Sequence, residues 1–510
     1  MSPSSSAGCS ARVASMSSTL SRSSFDRSHD VMTPVTRRPE ALLRLFFGTG
    51  VSVVELAEQQ LAIRGAGWQF VLRQASRGLG HAVRALAGAG ATRAELADQL
   101  LEHDGPAALA RLYYHLDEWR SSGVLGAVAV GASGALATLA PLPVPDASGP
   151  LQTGEPAPDI AYVLSPFACL RRVDDELMVE SSTTGARILV HDPRARLLCM
   201  TLISAHTRDA LPHAACGLSS EEADALCALL HHARILVQAH PTAHSQDAHD
   251  EPLARWQFHD LLFHTRSRMG RHVGGYGGTF RGAAPVQPAP ALKAPMSATA
   301  VDLYRPAIDR LCADDTPFTR VLEARRSRRE YGATPITEQE LGAFLYRVAR
   351  VRTTAADRPY PSGGASYELE LYLSVASCGR LAAGLYHYHA GEHRLHFLSP
   401  MTPDVRALLE DAARALGRQD PPHVLITIAA RFPRVFWKYE SMGYALILQN
   451  VGALYQTMYL VATAMGLAPC ALGGGNPDVF ARASGLGRLT EASVGEFALG
   501  SSPRHGPAGE

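Results

Sequence analysis

The 510-residue chain lacks the short motifs that define several common classes of protein. Its eight cysteines are scattered and include no CxxC pair, and there is no HExxH, so the usual zinc-site patterns are missing. No GxGxxG follows the first strand of the C-terminal part, which argues against a Rossmann domain. We therefore expect no metal centre. Dispersed free thiols favour a reducing, cytoplasmic location.

The chain also lacks an excess of either charge and any long apolar run. Lys+Arg and Asp+Glu both number 48, so no overall field attracts nucleic acid or an anionic membrane. No window reaches the roughly 18 continuous apolar residues of a spanning helix. Residues 1–40 are rich in serine and lack the apolar centre of a signal peptide, so we expect a disordered tail there. Neither nucleic acid nor membrane is an expected partner.

What is present is a pattern that occurs twice in the N-terminal half. Thr92-x-x-Glu95 and Ser219-x-x-Glu222 are capping boxes, which mark the starts of helices. In each case strand-like segments precede the box and a further strand follows the helices, which is the winged-helix order. We predict two winged-helix-like units, at 41–135 and 158–245, separated by a Pro/Gly/Ala-rich linker over 135–157.

Winged helices often bind DNA, but the charge of the first unit argues against this function. Residues 41–123 contain eight arginines, no lysine and eight acidic residues, whereas a DNA reader needs a basic face to neutralise phosphates. Binding of a peptide by strand addition to an exposed sheet edge requires no such face. We therefore favour peptide binding.

Residues 246–300 are expected to form a connecting helix and a second linker, rich in Pro and Ala over about 283–298. His259 and His264 lie five residues apart, which is the wrong spacing for two ligands on one helix face, and we expect them at a surface or an interface. The catalytic part then extends over 301–510.

Two motifs in the catalytic part suit the binding of a phosphorylated, flat ligand. Residues 325–329 read Arg-Arg-Ser-Arg-Arg, and guanidinium groups bind phosphate bidentately. The alternative is a solvated basic helix end. Ser362-Gly363-Gly364 precedes an alternating strand, and glycine here would let the backbone approach a ligand closely, although a plain turn would look the same.

A third motif joins a Lys-Tyr pair to an apolar helix and a glycine run. Lys438 and Tyr439 precede the helix, in which apolar residues recur three and four apart, and Gly473-Gly474-Gly475 follow it. An apolar setting disfavours the ammonium form of a lysine, so Lys438 suits the acceptance of a proton. The alternative is a surface lysine at a helix start, a place that does not favour cations.

Taken together, these motifs resemble the nitroreductase-like FMN fold. The segment from Val435 to Asn476 is similar to SagB/McbC-type azoline oxidases, and especially to cyanobactin-type thiazoline and oxazoline oxidases. The two N-terminal units resemble the peptide-clamp domains that accompany such oxidases. The resemblance implies an α+β fold: a nitroreductase-like, FMN-binding α/β sandwich preceded by two winged-helix-like clamps. Asn450, Ala453 and Thr457 depart from many SagB-type sequences, which leaves substrate choice open.

The resemblance also assigns roles to residues. Lys438 and Tyr439 match the family's catalytic pair. The FMN site that the resemblance implies includes the basic cluster, the Ser-Gly turn, the long helix, the glycine run and the C-terminal segment. Its residues are Arg325, Arg326, Ser327, Arg329, Ser362, Gly363, Gln456, Leu472, Gly473, Gly474 and Arg504.

The function that these features imply is oxidation of azolines to azoles on a ribosomally made precursor peptide, whose leader the clamps would bind. A homodimer with a shared flavin site and a cyclodehydratase partner are further implications. Two alternatives stay open: a generic NAD(P)H-dependent nitroreductase-like flavin reductase, and a non-catalytic peptide-binding scaffold of a peptide-modifying complex.

Overall fold

The structure is a computed structural model, and it describes residues 42–141, 156–240, 252–269, 275–282, 288–353 and 356–503, apart from 49, 58, 66–67, 185 and 212. These residues belong to one compact unit. The predicted tail at 1–40 lies outside them. No helix among the described residues is long and apolar enough to cross a membrane.

The N-terminal half contains twelve strands and six α-helices over the described residues. The strands are β1 Leu43–Phe47, β2 Ser52–Ala57, β3 Gln60–Gly65, β4 Trp68–Arg73, β5 Ala91–Thr92, β6 Leu125–Gly131, β7 Gly134–Pro141, β8 Tyr162–Leu164, β9 Ala168–Val173, β10 Glu176–Ser181, β11 Ala186–Val190 and β12 Leu236–Gln238. The helices are α1 Arg77–Ala87, α2 Arg93–Asp104, α3 Leu109–Ser121, α4 Pro193–Thr201, α5 Ser220–His232 and α6 Phe258–Arg266.

Both predicted capping boxes form and begin the helices that the sequence predicts. In each, the N-cap hydroxyl accepts a hydrogen bond from the glutamate N–H, and the glutamate carboxylate accepts one from the N-cap N–H. Around them the chain repeats one plan. A first strand pairs with the closing strand (β1 with β6, β8 with β12), and a three-stranded meander lies between them in sequence. The winged-helix interpretation stays a prediction.

The two units are not separate bodies, because they share one sheet. Its order is β5-β1-β6-β7-β11-β10-β9, and β7 of the first unit pairs antiparallel with β11 of the second. A single apolar core extends from Leu43 to Leu236. The predicted start of the linker at 135 is therefore wrong. Residues 134–141 form a strand of mostly small apolar residues, which pairs with β6 on one side and with β11 on the other.

The C-terminal half is built around a second seven-stranded, antiparallel sheet. Its order is β13-β16-β15-β14-β17-β19-β18. The strands are β13 Ala300–Asp302, β14 Leu369–Val375, β15 Gly384–His389, β16 Arg394–Pro400, β17 Val424–Arg431, β18 Leu467–Leu472 and β19 Glu491–Ser501. The helices are α7 Ile308–Asp314, α8 Phe318–Ala324, α9 Glu338–Ala349, α10 Pro403–Leu416, α11 Pro433–Phe436, α12 Gly443–Ala464 and α13 Pro477–Ser484.

This sheet lies between two layers of helices, which explains why every residue of β14 and β17 is buried. Helices α9 and α12 pack on one face, and α10 and α13 on the other. The predicted hairpin of β15 and β16 is confirmed, and the antiparallel pairing agrees with the exclusion of a Rossmann domain.

The segment 288–299 has no regular secondary structure but is fixed to this sheet. Lys293 Nζ donates to Glu491 and to the hydroxyl of Tyr372, both at 2.6 Å. The carbonyls of Lys293 and Ser297 face histidines of the hairpin. The predicted linker is therefore a firmly held connection where it is described.

Candidate functional site

Lys438 and Tyr439 lie in the turn between α11 and α12, five and four residues before α12 begins. The amine of Lys438 lies 5.1 Å from the centre of the Tyr439 ring and 5.9 Å from that of Phe280. Within the described part of the chain, no carboxylate forms an ion pair with Lys438. The lysine is half-buried among aromatic rings with its amine unpaired.

The Ser-Gly-Gly turn meets the Lys-Tyr pair at Gly364. This residue has φ +60° and ψ 23°, a left-handed conformation that glycine adopts without strain. A Cβ here would lie 2.0 Å from the Tyr439 hydroxyl and 2.9 Å from the amine of Lys438. Only glycine lets the turn come this close, so the motif is more than a plain turn.

A buried polar network holds this turn from below. Asn450 of α12 accepts the N–H of Gly363 at 2.9 Å and donates to Glu368 at 2.8 Å. Ser362 donates to the other oxygen of Glu368 at 3.1 Å, so its hydroxyl is engaged inside the protein. Burial raises the pKa of Glu368, although its hydrogen bonds with Asn450 and Ser362 oppose the shift.

A segment from the N-terminal half covers the other side of the lysine. Residues 275–282, which we name the strap, pair with the Lys-Tyr turn: the N–H of Phe280 donates to the carbonyl of Lys438 at 3.1 Å. Gly277 and Glu440 exchange backbone hydrogen bonds. The Glu440 carboxylate accepts from Arg281 at 2.8 Å and from the Thr279 hydroxyl at 2.9 Å.

The strap also borders a surface cleft beside Tyr439. The cleft has a volume of about 880 Å³, and the strap, Phe436 and the start of α12 line it. The strap was not predicted as part of the site, since residues 246–300 were expected to form only a connecting helix and a linker.

The arginine cluster lies near the far end of α12. The guanidinium of Arg325 lies over the ring of Tyr459, 5.5 Å from its centre, and the Ser327 hydroxyl is hydrogen-bonded to the Tyr459 hydroxyl at 2.8 Å. The same hydroxyl accepts the N–H of Ala471 at 2.8 Å, which joins the cluster to β18. Among the described residues, Arg325, Arg326, Arg328 and Arg329 form no ion pair with a carboxylate. Tyr459 was not predicted as a site residue.

The glycine run borders a second cleft, of about 830 Å³, together with Leu448, Gly452 and Tyr455 of α12. A Cβ at Gly473 or Gly474 would meet nothing within 4 Å, whereas one at Gly475 would lie 2.0 Å from the Glu496 carboxylate. A side chain at 475 would therefore displace the Glu496 carboxylate, whereas Gly473 and Gly474 border open space. Burial raises the pKa of Glu496 at the back of this cleft.

Helix α12 separates these residues into two groups. The turn at 362–364 contacts Leu446 and Asn450, whereas the glycine run and the arginine cluster lie along Leu448, Gly452, Tyr455 and Tyr459. At about 100° per residue the two sets face opposite sides of the helix, and Asn450 and Tyr459 are about 13 Å apart along its axis. The candidate residues of one chain therefore form two separate groups, which we name the two half-sites.

Two further predicted residues are Gln456 and Arg504. Gln456 is exposed on α12, on the same face as Tyr444, Leu448 and Gly452. Arg504 lies outside the described residues. His264 stacks on Trp256, and His259 is exposed beside Asp260.

With this geometry in view, comparisons with known proteins identify the family. A sequence model of the nitroreductase family matches residues 322–501, and one described as cyanobactin oxidase ThcOx matches residues 162–273. Putative nitroreductase MJ1384 of Methanocaldococcus jannaschii is 30% identical over 181 residues, which are 34% of this chain and 84% of the relative. The chain belongs to the nitroreductase family, a family of oxidoreductases.

Other relatives agree with the particular branch that the sequence predicts. The Microcin B17-processing protein McbC of Escherichia coli is 29% identical over 145 residues, 27% of this chain and 52% of McbC. Together with the ThcOx match, this confirms the predicted resemblance to SagB/McbC-type proteins. The solved E. coli Microcin synthetase McbBCD complex with truncated pro-MccB17 matches with TM-score 0.32 and 23% identity, over 37% of this chain and 74% of that one. Some solved nitroreductases were determined in complex with FMN.

Proposed function

We propose that this protein is an FMN-dependent oxidase that converts azoline rings of a ribosomally made precursor peptide into azoles. The observation that carries the proposal is the amine of Lys438, which lies between Phe280 of the strap and Gly364 and has no carboxylate partner among the described residues. The neighbouring Tyr439 lines an open cleft. A generic flavin reductase needs no such base opposite a substrate ring. The names of the matched relatives, a cyanobactin oxidase and a microcin-processing protein, support the same class of substrate.

The residues present fit FMN. Unpaired guanidiniums and the Ser327 hydroxyl would hold the phosphate, because arginine binds phosphate bidentately. The backbone at Gly473 and Gly474 has open space for the edge of a flat ring. The Ser362-Gly363 turn would form a second side of the pocket for the flavin ring. When bound, FMN supplies the hydride acceptor.

The chain's own contribution to the reaction is removal of a proton. Aromatising an azoline breaks a Cα–H and a Cβ–H bond, so a base of the protein would take the proton while bound FMN would supply the acceptor for the hydride. The amine of Lys438 accepts the proton when it is in its unprotonated form, and the Tyr439 hydroxyl orients it. The strap and Gly364 fix the position of the amine. Molecular oxygen would serve as the final oxidant.

The test of the base uses two substitutions of one residue. The purified protein, with FMN and an azoline-containing precursor peptide, should yield a product lighter by two hydrogens, about 2 Da. Lys438→Ala and Lys438→Arg should both lose turnover by at least about a hundredfold, since a guanidinium keeps the charge but accepts no proton. FMN content, measured by absorbance, should stay unchanged.

Full turnover by Lys438→Ala would refute the assigned base. Rapid reduction of the flavin by NADPH, with no change of the peptide, would favour the generic reductase. A colourless protein that binds precursor peptide would favour the scaffold.

We also propose a homodimer with a shared flavin site. The two half-sites lie on opposite faces of α12, so a second copy must complete each. Helix α12 contains no charged residue, and its exposed face presents Tyr444, Leu448 and Gly452, a surface suited to an interface.

Mixing two inactive variants tests this arrangement. Arg329→Ala should impair the phosphate half-site, and Lys438→Ala the base. If the halves come from different subunits, a mixed dimer contains one intact site, and co-expression should restore about a quarter of wild-type activity. If both halves come from the same subunit, the mixture stays inactive.

Peptide capture by the N-terminal units completes the proposal. In the part of the chain that the structure describes, β9 is an edge strand that pairs with β10 alone, so its outer side could accept an added strand from a leader. A cyclodehydratase, the enzyme that makes azolines, is the expected partner. Replacing Leu170 in β9 by proline should weaken leader binding in fluorescence anisotropy, without altering turnover of a leaderless azoline.

A further inference from the structure

Three potential ligands converge at the tip of the β15–β16 hairpin, outside both half-sites. They are His389 at the end of β15, Glu392 in the turn and His396 in β16, and one ligand atom of each lies within 4.8 Å of the others. Glu392 Oε2 lies 3.4 Å from Nε2 of His396 and 3.8 Å from Nδ1 of His389. Two ligands bound tetrahedrally to zinc at about 2.0–2.1 Å are about 3.4 Å apart.

The outer nitrogen of each imidazole is already bonded to a backbone carbonyl. His389 Nε2 donates to the carbonyl of Lys293 at 3.0 Å, and His396 Nδ1 donates to that of Ser297 at 2.7 Å. Such bonds fix the tautomer and turn the other nitrogen towards the ligand position, the arrangement typical of metal-bound histidines.

Nε2 of His396, the ring nitrogen that faces Glu392, gives evidence for a ligand that is independent of the clustering of the three side chains. His396 is 3% exposed, and its Nε2 forms no hydrogen bond among the described residues, although the Glu392 carboxylate lies 3.4 Å away. A buried nitrogen without a partner is costly, and a cation would satisfy it. Nδ1 of His389 accepts the N–H of Glu392 at 3.1 Å, which a bound metal would replace.

We propose that His389, Glu392 and His396 form a binding site for a divalent metal ion of the zinc type. Two imidazoles and one carboxylate are ligands that zinc accepts, and the half-exposed Glu392 leaves the fourth position to water. Since the two imidazoles also hold the 288–299 segment, the metal braces the hairpin against the connection from the N-terminal half. This site does not depend on the proposed function.

Structure-preserving variants test the site in the full-length protein. His396→Asn keeps a donor near Ser297 but removes Nε2. His389→Gln keeps a donor near Lys293 but removes Nδ1. Glu392→Gln removes the charge. His264→Asn, in a surface histidine stacked on Trp256, is the matched control.

The probes are Zn²⁺ and Co²⁺ alone. After dialysis against a chelator and loading with Zn²⁺, wild type and the control should retain one equivalent per chain by elemental analysis, and each of the three site variants should retain none. Co²⁺ should give a visible absorption band only in wild type and the control. Zn²⁺ should raise the melting temperature of wild type and not that of the variants.

Failure of wild type to bind Zn²⁺ would overturn the proposal and leave only the contact of Glu392 with the two imidazoles. Equal retention by His396→Asn would also overturn it, because the metal would then be held adventitiously by other histidines.

Discussion

At the scale of single residues, the site depends on a glycine, Gly364, at a position that has no room for a side chain. Gly364 combines a left-handed backbone with contact to both Tyr439 and Lys438, and Ala365 and Tyr367 nearby also have positive φ, at 53° and 44°. Several residues in an unfavourable conformation within one turn are typical of a functional site. The turn is shaped for its contact with the Lys-Tyr pair.

Gly364→Ala should therefore lower kcat by ten- to a hundredfold, because its Cβ would displace the Tyr439 hydroxyl, and a misplacement of about 1 Å can cost that much. Azole formation by mass spectrometry gives the rate. The control is Gly417→Ala, since Gly417 has a similar backbone (φ 71°, ψ 32°) with nothing within 4 Å. It should lose about 1 kcal/mol of stability and keep its activity. Equal kcat in both variants would contradict the role of Gly364.

Glu368 makes the same turn sensitive to pH. Burial raises its pKa in the folded chain, so the protonated carboxyl stabilises the fold below the ordinary glutamate pKa, and this contribution is lost as the pH rises through the raised value. Glu368→Gln is neutral at every pH. Its free energy of unfolding relative to wild type, from urea denaturation, should increase between about pH 4 and pH 8. If this difference in the free energy of unfolding does not change with pH, the folded chain does not raise the pKa of Glu368.

At the scale of elements, the strap connects the N-terminal units, for which we propose peptide binding, to the Lys-Tyr turn. It belongs to the connection after the N-terminal units, yet it pairs with the Lys-Tyr turn and is fixed through Glu440. The hydrogen bonds from Arg281 and Thr279 hold the pKa of Glu440 below its usual range, so at neutral pH the carboxylate is charged.

Glu440→Ala should release the strap and lower kcat about tenfold, with a smaller change in KM, because Lys438 loses its orientation while the leader-binding strands are untouched. Glu440→Gln, which retains hydrogen bonds, should recover part of the rate. Steady-state kinetics on the precursor peptide measures both, with the exposed Glu410→Ala of α10 as control. An unchanged kcat in Glu440→Ala would remove the strap from the site.

The elements also show what the sequence could and could not predict. Capping boxes, the hairpin and the Lys-Tyr, Ser-Gly-Gly and arginine motifs were predicted because each is a local pattern. The pairing of β7 with β11 and the contact of the strap with Lys438 were missed, because they join residues far apart in the chain. The roles of Asn450 and Tyr459 were missed for the same reason. A polar residue in an apolar helix does not reveal which distant residue it will contact.

At the scale of the whole molecule, the shared sheet makes the two N-terminal units one cooperative body. Separating them would expose the edges of β7 and β11 and open the common core. Unpaired apolar edges promote aggregation.

A fragment of residues 42–240 should therefore be soluble and unfold in a single transition followed by circular dichroism. Fragments 42–141 and 156–240 should each aggregate. Two separate transitions in the long fragment, or two soluble short fragments, would show that the units are independent.

The distribution of lysine has a practical consequence. Lys293 and Lys438 are the only lysines in the sequence, and the amine of Lys293 is held by Glu491 and Tyr372 whereas that of Lys438 has no carboxylate partner among the described residues. Apart from a chain terminus, an amine-directed reagent therefore meets one reactive side chain, at the proposed centre of the chemistry. A fluorophore or an isotope-labelled methyl group can be attached there without any substitution, which makes the native protein its own spectroscopic reporter of peptide arrival.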